Sequence, residues 1–266
     1  KIMAFGINSS ETKHFNETIL YTGISKVNIV AINPTLAQLN DIGFKFEKEP
    51  EYLSTGDDGT KKVRIDVIVK NDKFKTKFAF FLENKDRATK NGDKFEIVND
   101  FGQSTWATSI DEAVNKLGKN DNKWFKPDGA RIAKVGEVAL ITFLRDWANT
   151  GVEEVGKIDN FTALFNGNFK ELQDYVRILS NNTIYTLATV KEGKYQGIYT
   201  GCFVRTQFSI RTAENKFADF LKKQKDAGYP IKESYSLEFR EYTGGAIEPD
   251  KDEAPASTYN NLNNQF

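Results

Sequence analysis

Apolar positions along the chain change period several times, and each change marks an element. Over residues 63–70 (VRIDVIVK) they alternate, with Val63, Ile65, Val67 and Val69 on one side and Arg64, Asp66, Ile68 and Lys70 on the other. A period of two predicts a half-buried strand. Residues 74–82 (FKTKFAFFL) continue the pattern, Phe74, Phe78, Phe80 and Leu82 taking the core face and Lys75, Lys77 and Phe81 the outer one. Asn71-Asp72-Lys73 between them reads as a hairpin turn. An earlier strand is predicted at 26–33 (KVNIVAIN), ended by Pro34. A short helical turn over 35–41, closed by Gly43, and a loop over 54–60 (STGDDGT) follow it. Gly92 and Asp93 mark a turn ahead of the 95–98 and 101–107 segments, and 109–127 carries no clear period.

The period then lengthens. Val138, Ile141, Leu144 and Ala148 recur at three- and four-residue spacing and predict a helix over 137–148. Leu172, Tyr175, Val176 and Leu179 do the same for 169–179, ended by Asn181-Asn182. A second hairpin is predicted from 183–190 and 194–205, turning at Glu192-Gly193. A third helix over 214–227 stops at Gly228 and Pro230, and a final strand covers 235–242. Three strands, a helical insertion and two more strands is the order of an OB-fold, a five-stranded Greek-key barrel. The expected class is therefore α+β, mainly β, with large helical insertions and one extra helix and strand. Residues 1–20 read as a polar arm, 21–243 as the OB-like domain, and 244–266 as a flexible tail rich in Asn, Pro, Ala and Ser.

With 266 residues, 39% of them hydrophobic, the chain has ample material for a core. No run approaches the roughly 18 apolar residues of a membrane span, and the first ten residues lack the apolar stretch of a secretory signal. Cys202 is the single cysteine, which excludes an internal disulfide and fits a reducing compartment. A soluble cytoplasmic protein without membrane attachment is expected. Lys+Arg and Asp+Glu both number 37, and zero net charge argues against a crude basic nucleic-acid binder. The average conceals segregation. Glu248, Asp250, Asp252 and Glu253 against Lys251 leave 246–266 at −3 and residues 1–245 at +3.

The catalytic inventory is thin. The one histidine, His14, lies in the polar arm, far from a core nucleophile of the kind a Ser-His or Cys-His system needs. One Cys and one His cannot form a structural zinc site, and no glycine-rich phosphate loop is present. No catalytic site, cofactor or metal is expected. One alternative remains: Asp66 followed across a hairpin by Glu83-x-Lys85 resembles the arrangement of PD-(D/E)xK nucleases, in which two carboxylates hold a divalent metal. An exposed ion pair between Asp66 and Arg64 is the plainer account.

Binding signals are richer. Arg64, Lys70, Lys75 and Lys77 gather on one sheet face with Phe81, and Lys73 sits at the turn. In the predicted strand 194–205, alternation puts Tyr195, Gly197, Tyr199, Gly201, Phe203 and Arg205 on one face and Ile198, Cys202 and Val204 on the other. Glycines leave gaps between the aromatic rings, and such gaps suit flat ligands; nucleobases stack on aromatic rings without regard to sequence. The plainer account is a barrel bend in which glycine allows curvature. Trp124 and Phe125 between Lys123 and Lys126, with Arg131 nearby, would clamp a strand by stacking and phosphate contact, and Trp106 is a further candidate.

Tyr21-Thr22-Gly23-Ile24 leading into VNIVAINPT, the VRIDVIV and FAFFLENKDR strands, GQSTW, FNGNFKEL and KYQGIYTGCFVRT resemble bacteriophage single-stranded DNA-binding proteins over most of residues 21–243. The resemblance implies an OB-fold and cooperative coating of replication, recombination and repair intermediates in the host cytoplasm. It also implies an acidic C-terminal tail that recruits replication proteins, here Glu248, Asp250, Asp252 and Glu253 with the terminal aromatic Phe266. The tail departs from the pattern in that a neutral Asn-rich stretch separates the acids from Phe266. By the same analogy the arm before Tyr21 mediates self-association along DNA. Two other expectations stand beside this one. One is a phage structural or virion-packaged protein whose aromatics anchor an interface, and the other is the metal-dependent nuclease.

Overall fold

The computed structural model describes residues 19–98, 103–116, 133–148, 161–228 and 233–244. Strand β1 (Tyr21–Ile32) begins five residues before the predicted start, because two partners hold its first half. It ends at Ile32, and Thr35 then opens α1 (Leu36–Ile42) with a reciprocal cap: its hydroxyl accepts from Gln38 N, and Gln38 Oε1 accepts from Thr35 N. Gly43 closes that helix as expected. Short β2 (Leu53–Thr55) lies along the start of β3 (Lys61–Lys70), its last two residues taken from the predicted loop over 54–60. β3 and β4 (Lys75–Asp86) form the predicted hairpin in register Lys70↔Lys75 through Lys62↔Glu83. Asn71 makes its turn, the side-chain Oδ1 accepting from Lys73 N and Phe74 N.

Beyond β4 an insertion builds a separate three-stranded sheet from β5 (Ala88–Asn91), β6 (Lys94–Val98) and β7 (Ser104–Ala107), followed by α2 (Ile110–Lys116). The short β8 (Lys134–Val135) returns to the end of β4 and leads into α3 (Glu137–Ala148). A 3₁₀ turn (Phe161–Asn166) precedes α4 (Lys170–Ile178). The second hairpin pairs β9 (Thr183–Lys191) with β10 (Tyr195–Ile198). Glu192 and Gly193 both have positive φ (53° and 68°), the conformation of a type I′ turn that glycine admits without strain. After β11 (Val204–Arg205), Ser209 caps α5 (Ile210–Asp226) four residues before the predicted start by accepting from Thr212 N. β12 (Glu233–Ser234) pairs on β9 just ahead of the predicted last strand, which itself shrinks to β13 (Arg240–Glu241) on β1, with an irregular strap between them.

The protein is thus mainly β, with one large antiparallel sheet in the order β10-β9-β1-β3-β4-β8 and helices packed against it. The sheet curls: the Thr76 hydroxyl on β4 donates to Gln196 O on β10 at 2.6 Å, so two strands far apart in the path meet side by side. Each step in the path is antiparallel, so β4 and β10 run the same way. Inside the curl lie Val63, Ile65, Val67, Val69, Phe78, Phe80 and Leu82, as alternation predicted. Helix α3 fills the remaining space with Phe143 and Trp147, Phe143 meeting Phe78, Phe80 and Phe203 at ring-centroid distances of 5.4, 5.2 and 5.0 Å. A second core lies on the opposite side of β1 and β9, where Ile24, Tyr185 and Leu187 pack under Phe217 and Leu221 of α5. A third and smaller one joins Leu39 of α1 to Ala31 and Ile68, covering the outer face of β3 that the sequence left open to solvent.

Candidate functional site

The tips of the two hairpins converge. The β3–β4 turn and the β9–β10 turn, with Ile19, Leu20 and Phe44, line a groove of about 600 Å³. Six lysines border it (Lys70, Lys73, Lys75, Lys77, Lys191 and Lys194) against one carboxylate, Asp72. Lys70, Lys73 and Lys194 make no ion pair among the described residues. Lys75 and Lys77 are held by partners that also fix their direction. Lys75 Nζ donates to the carbonyls of Ile42 (3.0 Å) and Gly43 (2.8 Å) at the C-terminal end of α1 and lies over the Phe44 ring. Lys77 Nζ lies 3.3 Å from Asp66 Oδ2 and 4.9 Å from the Phe46 ring centroid.

Tyr195 rises at the mouth of this groove, 62% exposed. Its neighbour Gln196 fixes the backbone beneath it. The amide Nε2 of Gln196 donates to Tyr21 O (2.9 Å) and Thr189 O (3.0 Å), and Oε1 accepts from Tyr21 N (2.8 Å). A rigid backbone with a solvent-facing ring is what a stacking platform requires.

A second depression, about 440 Å³, lies farther along the outer face of the same two strands. Phe81 (65% exposed), Tyr52, Leu53 and Leu82 line it, with Arg64 and Lys62 facing Glu51 and Glu83. Arg64 Nε is bonded to Asp66 Oδ1 at 2.5 Å. The Tyr52 hydroxyl donates to Pro34 O at 2.6 Å, and burial first, then the Asp66 carboxylate, push this phenol above its ordinary range.

Several sequence expectations need correction. The strand predicted over 194–205 is not continuous: it breaks after Ile198, the chain bends through 199–203, and only Val204–Arg205 pairs again. The bend ends the shared face. Phe203 is buried against Phe78 and Phe143 in the main core. Tyr199 packs edge-on to Phe220 (5.7 Å) and Tyr235 (6.1 Å) in the second core. Arg205 turns to Asp146 on α3 at 3.1 Å, where burial raises the Asp146 carboxyl against the opposing pull of that guanidinium. Of the aromatic series, only Tyr195 reaches the groove. Cys202 is buried, as read from the sequence, and burial pushes its thiol up.

Of the cations expected on the sheet face, Arg64 pairs with Asp66, the plainer account of that residue, while Lys75 and Lys77 also have internal partners. Trp106 is exposed, but on the three-stranded sheet that starts beyond the far end of β4, roughly 35 Å of strand from the Lys70–Lys75 pair. The nuclease arrangement does not form. Glu83 lies opposite Lys62 and pairs with it at 3.5 Å, four strand positions and roughly 13 Å from Asp66, too far for one metal ion to join them. Lys85 meets Glu96 instead. Among the described residues no three His, Cys, Asp or Glu side chains form a cluster able to hold a metal ion. His14, Trp124, Phe125, Lys126, Arg131 and the tail residues Glu248, Asp250, Asp252, Glu253 and Phe266 lie outside the described residues.

Sequence reasoning missed Lys191, Lys194 and Phe44. The signal was present for the two lysines, which flank a recognisable Glu192-Gly193 turn. Nothing local says that this turn faces the other hairpin.

Among the described residues no helix is long and apolar enough to cross a membrane. Comparison with protein-family models, with curated proteins and with solved structures gave no match.

Proposed function

We propose that the chain binds single-stranded DNA without regard to sequence, on an OB-type barrel, and protects replication or recombination intermediates. The observation that carries this reading is the groove: six lysines and one carboxylate around an exposed tyrosine on a locked backbone. Lysines neutralise phosphates, and a ring stacks on any base for roughly 1–3 kcal/mol.

Connectivity supports the barrel reading. Counting β1, β3, β4, β9 and β10 as five successive strands of the large sheet, the first neighbours the second and fourth, the third follows the second, and the fifth lies between the fourth and the third. That is the Greek-key order of an OB barrel, whose second and third strands, with the 1–2 and 4–5 connections, carry oligonucleotides. Those parts, in this reading, are β3–β4, the segment with Phe44, and the β9–β10 hairpin, whose Lys191 and Lys194 line the groove with them. In this reading the acidic residues of 246–266 recruit replication proteins, and copies associate side by side along the strand.

Titration of oligo-dT against intrinsic fluorescence, at rising salt and with or without Mg²⁺, tests it. Quenching with a negative log–log salt slope of about 0.7 per neutralised phosphate is the expected result. No binding at low salt, even from a chain lacking 245–266, would sink the reading and favour an assembly protein whose exposed aromatics serve as interface anchors.

A further inference from the structure

Between the two depressions on the outer face of β3–β4, α1 covers Ile68, and beside it one carboxylate holds a cation from each. The Asp66 side chain is 6% exposed and both its oxygens are engaged, Oδ1 by Arg64 Nε at 2.5 Å and Oδ2 by Lys77 Nζ at 3.3 Å. Lys77 lines the lysine groove, whereas Arg64 lines the other depression and stands directly opposite Phe81. Asp66 therefore holds one cation from each, partway along a stretch that runs from the Lys70–Lys75 pair to the Arg64–Phe81 pair, roughly 20 Å. Its place is fixed from behind. Asp66 N donates to Asn33 Oδ1 (2.7 Å), Asn33 N donates to Asp66 O (2.9 Å), and Asn33 Nδ2 donates to Arg64 O (3.1 Å). Asn33 holds this pose at φ 44°, a region that asparagine tolerates better than most side chains.

We propose that Asp66 is a positioning residue that limits how far a bound strand engages this face. Its single charge offsets one of the two positive charges of Arg64 and Lys77, so phosphates are gripped more strongly by Lys70, Lys73 and Lys194 than on the way to Phe81. The proposal rests on the single-strand reading of the groove. A phosphate arriving at either cation competes with a carboxylate already in place, and charge-assisted bonds to carboxylate and to phosphate are of similar strength. A buried acid among cations thus acts as an intramolecular phosphate mimic, lowering affinity and salt sensitivity together.

Asp66→Asn removes the charge and keeps the shape. In oligo-dT titrations it is expected to bind about tenfold tighter at low salt, with a slope steeper by about 0.7, since one unit of charge is uncovered. Damage to the fold would move affinity the other way, so tighter binding with a steeper slope is not a structural side effect. Adding Arg64→Gln to Asp66→Asn should return the slope to about the wild-type value. If Asp66→Asn loses the wild-type thermal melt, Asp66→Ser is read in its place. A folded variant with unchanged slope, or with weaker binding, overturns the proposal while the wild type still binds. Absence of binding by the wild type overturns the groove reading itself, and this proposal with it.

Discussion

Gln196 uses its side chain on Tyr21 and Thr189 and its carbonyl on Thr76, which leaves the adjacent Tyr195 ring on a fixed backbone and free on its solvent side. Stacking and charge neutralisation respond differently to salt, so single substitutions separate them. Tyr195→Ala is expected to weaken oligo-dT binding by roughly 1–3 kcal/mol at every salt concentration. Lys194→Ala should instead make the salt slope shallower by about 0.7. Phe203→Ala belongs to a different category, because its ring fills the space between Phe78 and Phe143. It should lower stability by about 3–5 kcal/mol in denaturant melts, with little direct effect on a binding slope measured below the melt. Equal effects of Tyr195→Ala and Phe203→Ala on binding would mean that the groove does not read aromatic faces. These residues shared one face in the sequence pattern, and it is the bend after Ile198 that separated them.

At the scale of elements, the strap from β12 to β13 ties the second hairpin to the start of β1. Phe239 stacks on Tyr21 at 5.4 Å and 10°, and Phe74 of the first hairpin joins the same cluster. Ile24 N donates to Leu237 O, and Tyr242 N to Leu20 O. The strap crosses β1 so closely at Gly23 (φ 112°) that a Cβ there would fall 2.1 Å from Glu238 O. Gly23→Ala is therefore expected to cost about 1–3 kcal/mol through its backbone conformation alone, before the clash with the strap is added. Hydrogen exchange should quicken at the amides of Ile24 and Tyr242, reporting a released strap. Unchanged exchange at both would show that the strap does not depend on this crossing. A strand was predicted over 235–242, but within it only Arg240–Glu241 pairs, on β1, after Glu233–Ser234 has paired on β9.

For the whole molecule, charge is arranged so that the total hides the parts. Removing 245–266 takes away a net −3 and leaves the remainder at +3. The truncated chain should bind oligo-dT more tightly at low salt, with the gain fading as the Debye length falls from about 10 Å at 0.1 M to about 3 Å at 1 M. A gain that persists at high salt would point to a steric rather than an electrostatic effect. Much of the architecture was legible in the chain. Strict alternation in 63–82 determined which residues of β3 and β4 face the core, since successive side chains must take opposite sides of a strand. Helical spacing placed α3 and α4, and Glu192-Gly193 marked a turn, because these are local consequences of backbone geometry. What the sequence could not determine was meeting in space. The curl of the sheet brings two lysine-bearing turns, more than a hundred residues apart, to one groove. The docking of α1 assigns Lys75 to a helix end, and the β3–β4 register puts Lys77 within reach of Asp66. The free energy of a long-range ion pair or groove depends on distances set only when the sheet closes, so tertiary structure alone decided which cations face solvent and which face a carboxylate.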